Sequence, residues 1–223
     1  MLMRLCIDLD GAWREATLYI TDVRAFVARG GLYLGFCLGA FLAGPHNGSD
    51  LLPAGDRVKR EIERPNSQVD GIEDAVIQVD WTFSTGQKQG TKENKRWLYF
   101  QDGAAFVLSD NSPTTVLACY SQNDDVASTL NSFGRGWVAN IGAHPEADQS
   151  WCRFQIHRFR QLYSTLTQVT SEDLTDISNP EGIRLDIGVD FVRAALSRAS
   201  KSSQYRRHAE IEALRELISA DEG

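Results

Sequence analysis

Two short stretches hold residues whose types and spacing could do covalent chemistry. In Gly35-Phe36-Cys37-Leu38-Gly39 a cysteine stands between glycines at the end of an apolar run. A strand that ends this way and turns directly into a helix exposes its side chain on a tight elbow. The first N–H groups of that helix then point at the sulfur, where they favour the thiolate and can hold an oxyanion. The second stretch, Ala143-His144-Pro145-Glu146, lies in a glycine-marked turn. His144 could take the proton from Cys37, and Glu146 could accept a hydrogen bond from the other ring nitrogen and fix its tautomer. Each stretch has a plainer reading, a buried structural thiol in one case and an ordinary loop histidine in the other. Together they point to a nucleophile, a base and an orienter.

Those residues need elements to position them. Apolar residues recur at a helical period over residues 10–28, and Gly30-Gly31 ends the pattern. Residues 32–36 read as a strand and 37–43 as the opening of a helix that Gly44-Pro45 breaks. Residues 45–71 are rich in loop formers. The middle of the chain is β-rich, with strands expected at 75–81, 97–100, 104–108, 115–120, 126–130 and 137–141. Gln101-Asp102-Gly103 reads as a hairpin turn. Helices are expected over 151–169, 185–196 and 204–218, with a polar linker at 170–182.

Composition narrows the classes. The 223 residues are 42% hydrophobic and 24% charged, as in soluble globular domains. The formal net charge of -7 argues against a nucleic-acid partner, which needs clustered Lys and Arg. The apolar run at 30–45 is short and glycine-interrupted, so no membrane span is expected. MLMRLCIDLDG lacks the features of a signal peptide, and a cytoplasmic location is expected. Cys6, Cys37, Cys119 and Cys152 are scattered without CxxC pairs, which supports neither a disulfide framework nor a metal site. Cys6, Cys119 and Cys152 are read as structural thiols, and His46 and His157 as surface or packing residues.

The elbow cysteine followed by an HPE motif resembles the class I glutamine amidotransferase-like superfamily. GGLYLGFCLGAFLAG, WLYFQDGAAF and GRGWVANIGAHPEA are similar to one branch of it, the biotin-protein ligase N-terminal domain. The resemblance runs from about Asp8 to Trp151, and IRLDIGVDFVRAAL is similar to a closing helix of such proteins. It implies an α/β fold, a flavodoxin-like three-layer sandwich with a central, largely parallel sheet, a β-rich insertion and a helical C-terminal tail. The implied divisions are residues 1–151, closing helices at 152–197 and a peripheral helix at 198–223.

On the same resemblance, Cys37 is the nucleophile, His144 the base, Glu146 the orienter and the Leu38 N–H one oxyanion donor, with Gln101, Asp102 and Gly103 a possible substrate loop. No cofactor or metal is implied. Relatives carry a Pro-Gly-Gly type loop a little over twenty residues before the cysteine. Arg4-Leu5-Cys6-Ile7 stands there instead, so an N-terminally shortened domain is expected. Three readings follow: a thiol hydrolase acting on an amide, an inactive domain of the same fold with a binding or regulatory role, and an α/β-hydrolase with a cysteine elbow. The third fits least well, because Glu146 follows His144 where that fold places its acid before the histidine. No segment for ligase chemistry itself is visible.

Overall fold

The computed structural model describes residues 9–72, 74–147 and 183–200. The chain opens with α1 (Leu9–Ala16), a 3-10 turn (Thr17–Tyr19) and α2 (Ile20–Ala28). A Schellman motif ends α2: Gly30, at φ 117°, donates its N–H to Val27 O at 2.9 Å, and Gly31 donates to Phe26 O at 3.0 Å. The chain then enters β1 (Leu32–Phe36) and α3 (Leu38–Leu42). Seven further strands follow: β2 (Arg57–Arg60), β3 (Ala75–Thr82), β4 (Lys92–Phe100), β5 (Ala104–Val107), β6 (Thr115–Tyr120), β7 (Val126–Phe133) and β8 (Gly136–Ile141). Helix α4 covers 186–200.

All eight strands form one mixed sheet in the order β1-β8-β7-β6-β3-β4, with β5 branching from β7 and carrying β2 at its other edge. The sheet curls into a half-barrel. The expectation of a largely parallel, flavodoxin-like sheet is corrected here, since β1 with β8 is the one parallel ladder among the described residues and the rest are antiparallel. Loop length gives the reason. Two residues join β7 to β8, and five join β6 to β7, too few for the crossover that a parallel pair requires. The β-rich section is therefore part of the main sheet. The hairpin expected at Gln101-Asp102-Gly103 does not form either, because β4 pairs with β3 while β5 pairs with β2 and β7.

Alternating side chains send two cores to opposite faces, as strand geometry demands. On one face Ile77, Trp81, Leu98, Ile141 and their neighbours pack against Ile187, Phe191 and Ala195 of α4. On the other, Val138, Ala104 and Phe106 pack against Val27 of α2, Ala40 of α3 and Ala43 just after it. The sheet thus has helices on both faces. The helix expected at 185–196 is α4, whereas those expected at 151–169 and 204–218, and the thiols of Cys6 and Cys152, lie outside the described residues.

One carboxylate fastens α4. Asp190, 3% exposed, accepts hydrogen bonds from Trp81 Nε1 (2.9 Å), Ser84 N–H (2.9 Å), Thr85 N–H (2.8 Å) and Thr85 Oγ1 (2.6 Å). Replacing Asp190 by Ala strands a buried indole N–H and two amides. The expected loss is about 2–4 kcal/mol of unfolding free energy in a urea titration; a loss below about 0.5 kcal/mol would show the contact to be ornamental.

Candidate active site

Strand β1 delivers Cys37 at φ 45° and ψ -105°, a conformation that a side-chain-bearing residue keeps only where its surroundings hold it. Both sides of the peptide are held. The Cys37 N–H donates to Ile141 O at 2.9 Å, and the Cys37 carbonyl accepts from Ala40 N–H (2.9 Å) and Phe41 N–H (3.3 Å). The two elbow glycines differ in their reasons. A Cβ on Gly35 would come within 2.4 Å of Asn140 Oδ1 and 2.8 Å of Gly39 O, whereas one on Gly39 would meet Tyr33 Oη only at 3.9 Å. Gly35 is thus the steric requirement, and it lets the Gly39 backbone approach β1.

Past Ile141 the chain runs through Gly142 and Ala143 to His144. Its N–H donates to Tyr99 O at 2.9 Å, and its ring packs edge-on against the Tyr99 ring with centroids 5.6 Å apart. The Tyr99 hydroxyl is in turn hydrogen-bonded to the Asp74 carboxylate. His144 Nδ1 stands 2.8 Å from Glu146 Oε1, which favours the tautomer with the proton on Nδ1 and the lone pair on Nε2. The expected histidine–glutamate contact is therefore present. Both the thiol and the imidazole are enclosed, at 2% and 6% exposure, while the Glu146 side chain is half-exposed.

Leu38 opens α3 directly after the elbow. The Gln101–Gly103 segment reaches the same place from β4, and Cys37 Sγ donates to Gln101 O at 3.3 Å. Asp102 is gripped by Arg60 through Nε to Oδ1 at 2.8 Å and a second, parallel contact from Nη2 to Oδ2. Sequence reasoning does not single out Tyr99, Arg60 or Tyr120 for this site. Only the continuous apolar run Trp97-Leu98-Tyr99-Phe100 hints at its burial, and nothing local links Arg60 to Asp102.

Burial sets the electrostatics. It pushes the Tyr33 hydroxyl up to about 12 and raises the Tyr120 hydroxyl well above its ordinary value, the latter aided by the charges of Glu61 and Cys37. Burial also raises the Glu61 carboxyl against the opposing Gln68 N–H, and raises the Cys119 thiol. Cys119 is therefore held in its less reactive form. Among the described residues no His, Cys, Asp and Glu group could hold a metal ion, and no helix is long and apolar enough to cross a membrane.

No protein-family model matches the chain, and no curated protein matches it in sequence. Among solved structures it is similar to a glutamine amidotransferase from Thermotoga maritima, at 14% identity over 82% of this chain and 68% of that one, with a TM-score of 0.48. It is also similar to a β-galactosidase from Bacillus circulans sp. alkalophilus (14% identity, 56% of this chain and 18% of that one, TM-score 0.34) and to Gan42B, a GH42 β-galactosidase from G. stearothermophilus (16%, 65% and 19%, TM-score 0.35). The chain spans about a fifth of the length of those β-galactosidases. With TM-scores below 0.5, none of these likenesses decides fold or activity.

The Tyr33 hydroxyl donates to Gly39 O at 2.7 Å and braces the first turn of α3. Tyr33→Phe should cost about 1 kcal/mol near neutrality. A hydroxyl whose folded pKa lies above its unfolded value stabilises the fold fully below pH 10, and that contribution fades as pH rises from 10 towards 12. The wild type should therefore lose stability more steeply than Tyr33→Phe across that window in denaturant titrations at stepped pH. Parallel curves for the two proteins would refute the assignment.

Proposed function

We propose that the chain is a thiol hydrolase of the glutamine amidotransferase-like kind, acting on an amide through Cys37, His144 and Glu146. The observation that carries the reading is the convergence of two strand ends. Cys37 sits on a strained elbow bonded to Ile141, and the same strand end leads within three residues to a histidine already oriented by a glutamate.

In this reading the thiol proton passes to His144, and Sγ attacks the amide carbonyl carbon while the Leu38 N–H stabilises the oxyanion. The C–N bond then breaks, and the imidazolium returns the proton to the leaving amine. Water deprotonated by His144 opens the resulting thioester, giving the acid and the free thiol. No cofactor takes part. The reading includes kinship with the biotin-protein ligase N-terminal domain, without ligase activity, in one amidotransferase-like unit over residues 1–197 with a peripheral 198–223, in the cytoplasm.

A second reading, a catalytically silent domain that binds or regulates, is favoured by one observation: the thiol is 2% exposed and bonded to a carbonyl. Alkylation separates the two. Iodoacetamide labelling of the full chain from pH 5 to 9, mapped by peptide mass with Cys119 as reference, should find Cys37 labelling that His144→Ala slows at least tenfold at pH 7 while Cys119 is unchanged. Cys37 labelling indifferent to His144 would favour the silent domain. Glutamine and simple primary amides are the first substrates to assay for ammonia release, and Cys37→Ala should abolish any turnover found.

A further inference from the structure

The segment 99–103 touches both members of the proposed pair. Tyr99 lies against His144, and two residues on, the Gln101 carbonyl accepts the Cys37 S–H. Each of the next two residues is tied down separately. Asp102 stands at φ 45°, a left-handed conformation that is unfavourable for a non-glycine residue, and the two-pronged Arg60 contact holds it there. Gly103 O accepts the Glu61 N–H at 3.0 Å, and a Cβ on Gly103 would come within 2.0 Å of Gly142 O. Adjacent residues Arg60 and Glu61 thus clamp the loop, one by side chain and one by backbone. The Asp102 side chain is only 13% exposed, so the fork is a specific, partly desolvated pair and not a loose surface contact.

A carbonyl oxygen can bond the thiol but not the thiolate, so its presence opposes proton loss. We propose that the Arg60–Asp102 fork is a latch that keeps the Gln101 carbonyl on the Cys37 thiol, holding the nucleophile covered and protonated until the loop is displaced. Arg60 is then a positioning residue. Displacement frees the Sγ proton to pass to the imidazole, leaving thiolate and imidazolium, a step that rests on the function proposed above. Among the described residues, the titratable groups supplied by the elements packed around the elbow are Tyr33 of β1, Tyr120 of β6, Arg60 at the end of β2 and Glu61 just after it, Asp102 in the loop, and His144 with Glu146 after β8.

The pH profile of Cys37 labelling in the full chain tests the latch, with Cys119 in the same digest as reference. Arg60→Lys keeps the charge but loses the fork, and Arg60→Met loses both. A latch predicts that both variants move the Cys37 midpoint to lower pH. Labelling at pH 7 should then rise about tenfold for every whole pH step by which the midpoint falls. A through-space charge effect predicts an unmoved midpoint in Arg60→Lys and a raised one in Arg60→Met, and that pattern overturns the proposal. So does a higher plateau with an unmoved midpoint, which would report access alone. Arg60→Lys, the mildest change, decides the matter if circular dichroism shows Arg60→Met unfolded. Wild type compared with His144→Ala keeps the two ideas apart: a profile moved by Arg60→Lys but not by His144→Ala retains the latch and removes the dyad.

Discussion

Leu32 to Phe36 lie in parallel register with Trp137 to Ile141, and the Cys37 N–H continues that ladder onto Ile141 O. Everything at the candidate site depends on the direction of this pairing. Strands that run the same way end at the same edge, so Cys37 and the turn that carries His144 both follow from that edge of the sheet. Antiparallel pairing of the same five-residue strand would set the two ends roughly 16 Å apart, at about 3.3 Å per residue. Register matters as much. A slip of one residue would turn every side chain to the opposite face and move Gly35 from its place beside Asn140, where only a residue without a Cβ fits.

The floor beneath the elbow is polar where a core would ordinarily be apolar. Asn140 is fully buried, and neither atom of its amide has a hydrogen-bond partner among the described residues. Thr129 Oγ1 and Asn131 Oδ1, on neighbouring strand positions, are in the same condition, although Asn131 Nδ2 donates to Leu51 O at 3.1 Å. Each such group costs about 1–3 kcal/mol of desolvation. Together with the positive φ of Cys37, this concentrates local destabilisation around a single turn while the Trp81 and Phe191 core supplies the stability. Proteins commonly break local rules where they function.

Strand existence was largely legible from residue types: Thr115 to Tyr120 matches its element, and the runs at 75, 104, 126 and 137 fall within one or a few residues of theirs. The losses have physical causes. Arg57–Arg60 and the front of β4, Lys92 to Arg96, are charged, because edge and rim strands need no apolar face and so leave no period-two signal. Strand direction was illegible since it follows from loop length and partner choice, not from the strands' own residues. Both members of the His144–Glu146 pair could be read because they are two residues apart. The Arg60–Asp102 fork could not, because tertiary structure alone brings those residues together.

The grip of Asp190 on Trp81, Ser84 and Thr85 joins the far end of β3 to a helix more than a hundred positions later. The amides of Ser84 and Thr85 lie outside the sheet ladder, so their shelter from solvent deuterium comes from that carboxylate. Their exchange clock therefore runs at the rate at which α4 lifts from the sheet, and the Trp81 indole N–H keeps the same time. The single carboxylate of α4 thereby links the opening of helix 186–200 to that of the sheet's centre.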